Sequence, residues 1–322
     1  MSDLPKKIII NEEGPREGFQ IESAEISTQD KIELINMLSE TGVKHIQVVS
    51  FVNPKLVPGM ADAEAVVAGI KMKPGVDYSG LWLNQRGFER ALACGRLHME
   101  GALTLYSSTS FLKKNQNRTP QQQLAAQHDL IRLYQENNVA VKRGFISTAF
   151  GCNFEGDIEP AHVVDLVSQL LEIAEEHDEK IARMGLGDTM AWATPESIKR
   201  VVGAVREKHP DLPLLLHLHD TRGMGIANAY AGLEMGVDAY DACVAGLGGC
   251  PFAGHKGASG NVCTEDLVFM CDEMGIETGI DLGRMIECAT FAEQVVKHPL
   301  PGSVMCGGSL NKFRSSALAV IN

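Results

Sequence analysis

Short apolar runs alternate with segments whose apolar residues recur every three or four positions, and this alternation continues from Lys7 almost to Val296. The runs read as buried strands and the periodic segments as amphipathic helices. A first strand spans Lys7 to Glu13, and a polar turn follows at Pro15-Arg16-Glu17-Gly18-Phe19-Gln20. Ser27 or Thr28 caps a helix over Lys31 to Glu40, which Gly42 ends. His45 to Phe51 is the second strand and Ala61 to Ile70 its helix. Strands near Tyr78 to Leu83 and Leu97 to Tyr106 are followed by helices Gly87 to Ala93 and Gln121 to Glu136. Ala140 to Ala149, Pro160 to Glu176, Ile181 to Leu186 and Pro195 to Lys208 continue the series, the last helix opened by Thr194 as cap and Pro195 in its first turn. A seventh strand starts at Leu214, and Ile226 to Met235 is its helix. Ala239 to Ala245 and Glu265 to Met274 complete the eighth pair, and Leu282 to Val296 is left over.

Eight strand–helix pairs without a linker predict an α/β fold, a (β/α)₈ TIM barrel over residues 1–280 with a helical extension over 281–322. In such barrels the loops after the strands share one face and carry the chemistry. Arg16, Glu17, His217, His219, Gly246 to Pro251 and Asn261 are thereby expected at a common mouth.

Composition narrows the function classes. The 322 residues carry 29 Lys+Arg against 41 Asp+Glu, a net charge of -12, and no basic stripe able to neutralise a nucleic-acid backbone. No apolar stretch is long enough to cross a bilayer, and Met1 to Ile10 lacks a signal-peptide core, so a cytoplasmic protein without nucleic-acid or membrane partners is expected. The eight cysteines show no CxxC spacing and read as reduced thiols.

The chemistry concentrates where the apolar run Leu214-Leu215-Leu216 ends in His217-Leu218-His219. On a strand, residues two apart face the same side, so both imidazoles can meet one ion. Glu17 adds a carboxylate and Asn261 an amide oxygen, a mixed N/O set that suits Mg²⁺ or Mn²⁺ better than a thiolate zinc site. Two histidines and a carboxylate also form the facial triad of non-haem iron, which the added amide disfavours. Arg16 is a fixed cation beside that site, suited to an enolate oxygen. Gly246-Leu247-Gly248-Gly249-Cys250-Pro251 permits close backbone approach and ends in a thiol that can serve as a general acid.

Taken together, Gly14-Pro15-Arg16, Ser50-Phe51-Val52, Lys113-Lys114-Asn115, Gly187-Asp188-Thr189, His217-Leu218-His219-Asp220-Thr221, Gly246 to Pro251 and Gly260-Asn261-Val262 resemble hydroxymethylglutaryl-CoA lyase, of the DRE-TIM metallolyases. The resemblance runs from Gly14 to about Gly279. It implies a divalent metal on Glu17, His217, His219 and Asn261, and retro-Claisen cleavage of a 3-hydroxyacyl-CoA. Arg16 would polarise the thioester oxygen, with Cys250 as acid/base and Asp188 as a catalytic carboxylate near the substrate.

Several positions depart from that pattern. Glu17 stands where the lyases have aspartate, Gln47 and Thr109 where they have glutamate, Arg222 where they have tyrosine, and Ile21 and Ser23 where they have asparagine and lysine. Gln47, Trp82, Thr109, Thr189 and Arg222 are the positions expected to face the substrate, with Trp82 and Leu83 adding bulk after the third strand. Gln47 removes a carboxylate from the barrel interior, Thr109 and Arg222 make the mouth less acidic, Ile21 and Ser23 offset part of that trend, and the expectation is that carbon–carbon cleavage is kept while the acyl portion of the substrate changes. A Claisen-condensing synthase of the isopropylmalate or homocitrate type and a catalytically altered metal-binding barrel are the competing readings. A homodimer is expected, since symmetric oligomers are the usual state of such enzymes.

Overall fold

A computed structural model describes residues 4–22, 25–248, 260–311 and 313–314. Its eight strands are β1 (Ile9–Glu12), β2 (His45–Ser50), β3 (Asp77–Leu81), β4 (Gly101–Tyr106), β5 (Val141–Ser147), β6 (Arg183–Gly187), β7 (Leu214–His217) and β8 (Ala239–Ala242). All are parallel and pair in the order β3-β2-β1-β8-β7-β6-β5-β4. That is the cyclic order of an eight-membered ring cut between β3 and β4, the TIM-barrel arrangement. At the cut, His98 N–H donates to the Tyr78 carbonyl at 2.7 Å. On its upper side the Tyr134 hydroxyl accepts from Trp82 Nε1 at 2.8 Å and reaches the Ala102 carbonyl at 3.4 Å, so side chains tie the two strands where the backbone ladder stops.

The helices are α1 (Phe19–Ile21), α2 (Thr28–Ser39), α3 (Ala63–Gly69), α4 (Gln85–Ala93), α5 (Thr109–Gln116), α6 (Pro120–Glu136), α7 (Pro160–Glu175), α8 (Pro195–Lys208), α9 (Gly225–Glu234), α10 (Thr264–Met274), α11 (Leu282–Val296) and α12 (Ser303–Gly307). Their starts follow capping chemistry. Ser27 Oγ accepts from Asp30 N at 3.1 Å, and Thr194 and Ser197 form a reciprocal capping box at α8. The extension helix α11 starts from Asp281, which accepts from Arg284 N at 3.0 Å. It buries Leu282, Met285, Cys288, Ala289 and Ala292 in the same apolar core as the barrel strands. The seven cysteines among the described residues are unpaired, and no described helix is long and apolar enough to cross a membrane.

Three local expectations are corrected. The polar turn at Pro15 to Gln20 is a largely buried π-helical turn, Gly14–Gly18, running into α1. Helix α5 was not expected, because only Phe111 and Leu112 are buried in it and two apolar residues generate no period. Ser108 caps it and Asn117, at φ 53°, stops it. Finally, β7 ends at His217, so His219 lies beyond the strand in an isolated bridge to Asn261.

What positions the site is the ring's incomplete filling. Barrel interiors are ordinarily packed with bulky branched residues. Here Ala102, Thr104 and Gly185 face a cavity of about 290 Å³ that also touches Phe145, Leu215 and His217. A Cβ at Gly185 would come within 2.5 Å of the Phe145 ring, so glycine is what lets that ring lie against β6.

Candidate active site

Two buried carboxylates shape the loops that carry the chemistry. Glu12, at the end of β1, accepts from Gly14 N at 2.8 Å, Val244 N at 2.9 Å and the Thr264 hydroxyl at 2.7 Å. Glu265 accepts from Ala245 N at 3.0 Å. These bonds satisfy backbone donors where the chain leaves β1 and β8, including Ala245 in a left-handed conformation at φ 58°. Burial pushes both carboxyls up to about 7. The turn after β1 is thereby fixed with Arg16 and Glu17 on the cavity side.

Glu17, His217 and His219 converge. Glu17 Oε1 lies 3.1 Å from His219 Nε2 and 3.6 Å from His217 Nε2, and the two imidazole nitrogens are 3.3 Å apart. An ion at about 2.1 Å from each ligand subtends edges of roughly 3.0 to 3.4 Å, which the two edges at His219 match and the Glu17–His217 edge of 3.6 Å slightly exceeds. Beside it the Asn261 amide donates Nδ2 to the Leu247 carbonyl at 3.2 Å, while its Oδ1 is buried without a protein partner. A buried acceptor left open next to three converging donor atoms is what a cation site requires. Among the described residues no cysteine joins this group, so the donor set is the hard N/O one. The electrostatics agree: burial disfavours a charged His217, yet Glu17, Asp241 and Glu13 around it hold the imidazole well above its ordinary range. Positive charge is stabilised at this point, as a cation site requires.

Gly248 backs the cluster at φ 98°, and a Cβ there would overlap Asn261 Nδ2 and approach Glu17 Cγ to 2.9 Å. Gly248→Ala is expected to displace both side chains and to weaken Mn²⁺ binding by about 10- to 100-fold, read by isothermal titration, with circular dichroism unchanged.

His217 is oriented from behind. Its Nδ1 pairs with Asp241 Oδ2 at 3.2 Å, and Asp241 Oδ1 accepts from Asn11 Nδ2 at 2.9 Å. Burial alone would raise the Asp241 carboxyl; the His217 bond and charge hold it below its usual range instead. A carboxylate on the far imidazole nitrogen fixes the tautomer that leaves Nε2 for a metal. Asp241→Asn is expected to lower metal affinity about 10- to 100-fold while the fold survives, checked by titration and thermal melting.

Arg16 is held on three sides. It donates Nε to Gln47 Oε1, pairs through NH2 with Glu13, and places NH1 2.7 Å from Glu17 Oε2. The two carboxylates on it settle differently. Burial would raise the Glu17 carboxyl, but Arg16 and His217 hold it well below the usual range, whereas burial and the Asp241 charge push Glu13 up to about 7. Asp188 accepts from Trp192 N at 2.7 Å and Ala193 N at 3.0 Å through one oxygen; the other is buried and unpartnered. Burial raises this carboxyl to about 6 against the pull of His219.

The structure brings together most of the residues singled out above. Arg16, Glu17, Gln47, Thr189, His217 and His219 line one cavity, with Asn261 and Asp188 packed behind them. Thr189 is fixed by bonds of 3.0 Å to the Ser147 hydroxyl and 2.9 Å from Thr148 N. Three others are not in its wall. Trp82 packs on Phe88 and Tyr134, Thr109 is the first residue of α5, and Arg222 donates to the Met190 and Ala191 carbonyls at 3.1 and 2.8 Å. Cys250 and Ser23 lie outside the described residues. Sequence reasoning missed Glu13, Asn11, Asp241 and the Tyr106–Asn115 pair, bonded at 3.0 Å. A signal existed: Asn11, Glu13 and Asp241 are polar residues inside or ending apolar strands, and the two-residue spacing of Asn11 and Glu13 puts both on one face.

Comparison with known proteins is in keeping with this geometry. The family model described as HMGL-like matches residues 7–292. Mitochondrial hydroxymethylglutaryl-CoA lyase of Pongo abelii is 40% identical over 304 residues, 94% of this chain and 90% of that protein. Hydroxymethylglutaryl-CoA lyase YngG of Bacillus subtilis is 38% identical over 317 residues, 97% of this chain and 99% of that one. An HMG-CoA lyase from Acenitobacter baumannii, solved in complex with coenzyme A and 3-methylmalate, superposes with a TM-score of 0.85 at 37% identity, covering 96% of this chain and 97% of that structure.

Proposed function

The chain belongs to the HMGL-like family, and from that premise we propose that it is a carbon–carbon lyase cleaving hydroxymethylglutaryl-CoA, or a closely related 3-hydroxyacyl-CoA, to acetyl-CoA and a keto acid. The observation that carries the reading is the Glu17–His217–His219 triangle with the unpartnered Asn261 oxygen and the Arg16 guanidinium beside it. These four ligands would hold Mg²⁺ or Mn²⁺, which when bound lowers the pKa of a coordinated tertiary hydroxyl and so favours collapse to a ketone. The chain's own residues supply the rest. Glu17 turns one oxygen to the histidines and the other to Arg16, linking the cation site to the guanidinium. Arg16 faces the cavity, where its donors stabilise charge arriving on the thioester oxygen as the carbon–carbon bond parts. Asp188, with Oδ2 uncommitted close to His219, is assigned the proton released by the substrate's tertiary hydroxyl, and Cys250 the proton that quenches the departing enolate. Thr189 and Gln47 line the acyl end.

Gln47 supports an acyl group that differs from hydroxymethylglutaryl, because the wall it occupies carries an amide instead of a carboxylate. The reading includes a cytoplasmic homodimer, in line with the symmetric association usual for such enzymes; light scattering tests it. Purified protein incubated with a panel of hydroxyacyl-CoAs, with Mg²⁺, Mn²⁺ or chelator, decides the chemistry by mass spectrometry of products. Metal-dependent release of acetyl-CoA is expected. Condensation of an acyl-CoA with a 2-oxo acid would assign a synthase, and metal uptake without turnover an altered barrel. Rapid cleavage of hydroxymethylglutaryl-CoA alone would remove the altered acyl group.

A further inference from the structure

Gln47 stands where the resembled lyases carry a glutamate, and that change should deprive Arg16 of a carboxylate. The structure shows the carboxylate arriving from a different strand. Glu13, one residue past β1, is only 3% exposed, lines the same cavity and pairs with Arg16 NH2. Gln47 meanwhile accepts from Arg16 Nε through Oε1, and its Nε2 has no protein partner among the described residues. We propose that Glu13 is a positioning residue that anchors the Arg16 guanidinium in place of a carboxylate at 47, and that this relocation frees the Gln47 amide N–H groups to recognise an acceptor on the acyl group, a carboxylate or carbonyl oxygen. The inference rests on the lyase reading for the acyl group and stands without it for Arg16.

The physical case starts from the guanidinium. It is a planar fork of five donors, and its direction is set by which edges are occupied. Glu17 alone, at 2.7 Å from NH1, leaves rotation about the long side chain undetermined, and Glu17 also serves the histidines. Glu13 on NH2 and Gln47 on Nε fix the plane. Glu13 Oε2 lies 3.8 Å from His217 Nδ1, but Asp241 is the nearer partner at 3.2 Å, so the histidine keeps its orientation when Glu13 loses charge. The arrangement also divides the cavity. Glu17 and Asp241 place negative charge on the β1 and β8 side, whereas the Gln47, Leu81 and Leu83 wall is uncharged. An anionic or carbonyl-bearing acyl end meets no repulsion there.

Moving the carboxylate back tests this. Glu13→Gln, Gln47→Glu and the Glu13→Gln/Gln47→Glu double variant are compared with wild type, using the thioester that wild type cleaves in the panel. Loss of guanidinium alignment in Glu13→Gln is expected to cut kcat about 10- to 100-fold with KM and Mn²⁺ affinity within about threefold. The double variant is expected to recover kcat to within about fivefold, since the carboxylate introduced at position 47 would pair with Arg16 Nε, while Gln47→Glu alone raises KM for an anionic acyl group about tenfold by repulsion. A second readout needs no turnover. Phenylglyoxal modification of Arg16 in metal-free protein, followed by peptide mass, should be faster in Glu13→Gln and return to the wild-type rate in the double variant. Equal labelling of wild type and Glu13→Gln, or no recovery in the double variant, overturns the proposal. If wild type cleaves no thioester, the lyase reading fails while the labelling still decides the role of Glu13.

Discussion

Replacing His219 by alanine is expected to strip the protein of its divalent ion and of nearly all turnover. His219 Nε2 sits at the apex between Glu17 Oε1 at 3.1 Å and His217 Nε2 at 3.3 Å, so its loss opens the triangle instead of trimming one edge. Loss of a group that merely orients a ligand costs about 10- to 100-fold in metal affinity, so loss of the ligand itself should exceed about 100-fold. The Lewis-acid contribution of several kcal/mol then disappears, and kcat should fall by about 10³-fold or more. Metal content after gel filtration and single-turnover cleavage give the two readouts. Full metal content with lost activity would move His219 from ligand to acid/base.

Arg16→Met separates binding from chemistry. On Glu17 the guanidinium pairs with Oε2, while Oε1 faces the histidines, so the metal should stay. What disappears is a preoriented cation aimed into the cavity, and oxyanion donors of that kind are worth about 10² to 10³ in kcat. Metal-replete protein with kcat reduced by that amount and KM little changed is the expected result. Equal metal loss in Arg16→Met and His219→Ala would make Arg16 a structural clamp for Glu17.

The structure changes how the residues around Arg16 are understood. From the sequence, Gln47 and Thr109 lower the acidity of the mouth. In three dimensions Glu13 supplies a carboxylate to the same arginine, and Thr109 heads a helix outside the cavity wall. A count of charges along the sequence misses this, because the groups that meet Arg16 come from different strands. Trp82 is a related case. It follows β3, where barrel chemistry is expected, yet its indole N–H is committed to Tyr134 at the β3–β4 cut.

The sequence by itself determined the barrel, its order of elements and the identity of the candidate metal ligands. Buried strands and helices advertise themselves by local periodicity, and two histidines one residue apart can share an ion where the backbone is extended. It misjudged the turn at Gly14–Gly18 and overlooked α5, where burial or capping acts on too few residues to make a period. Only the tertiary arrangement decided which polar side chains meet: that Asp241 stands behind His217, that Asn261 Oδ1 is left open, and that Glu13 joins Gln47 on Arg16. Those contacts join strands far apart in the chain, and their directions depend on register and curvature, which no local pattern of apolar and polar residues encodes.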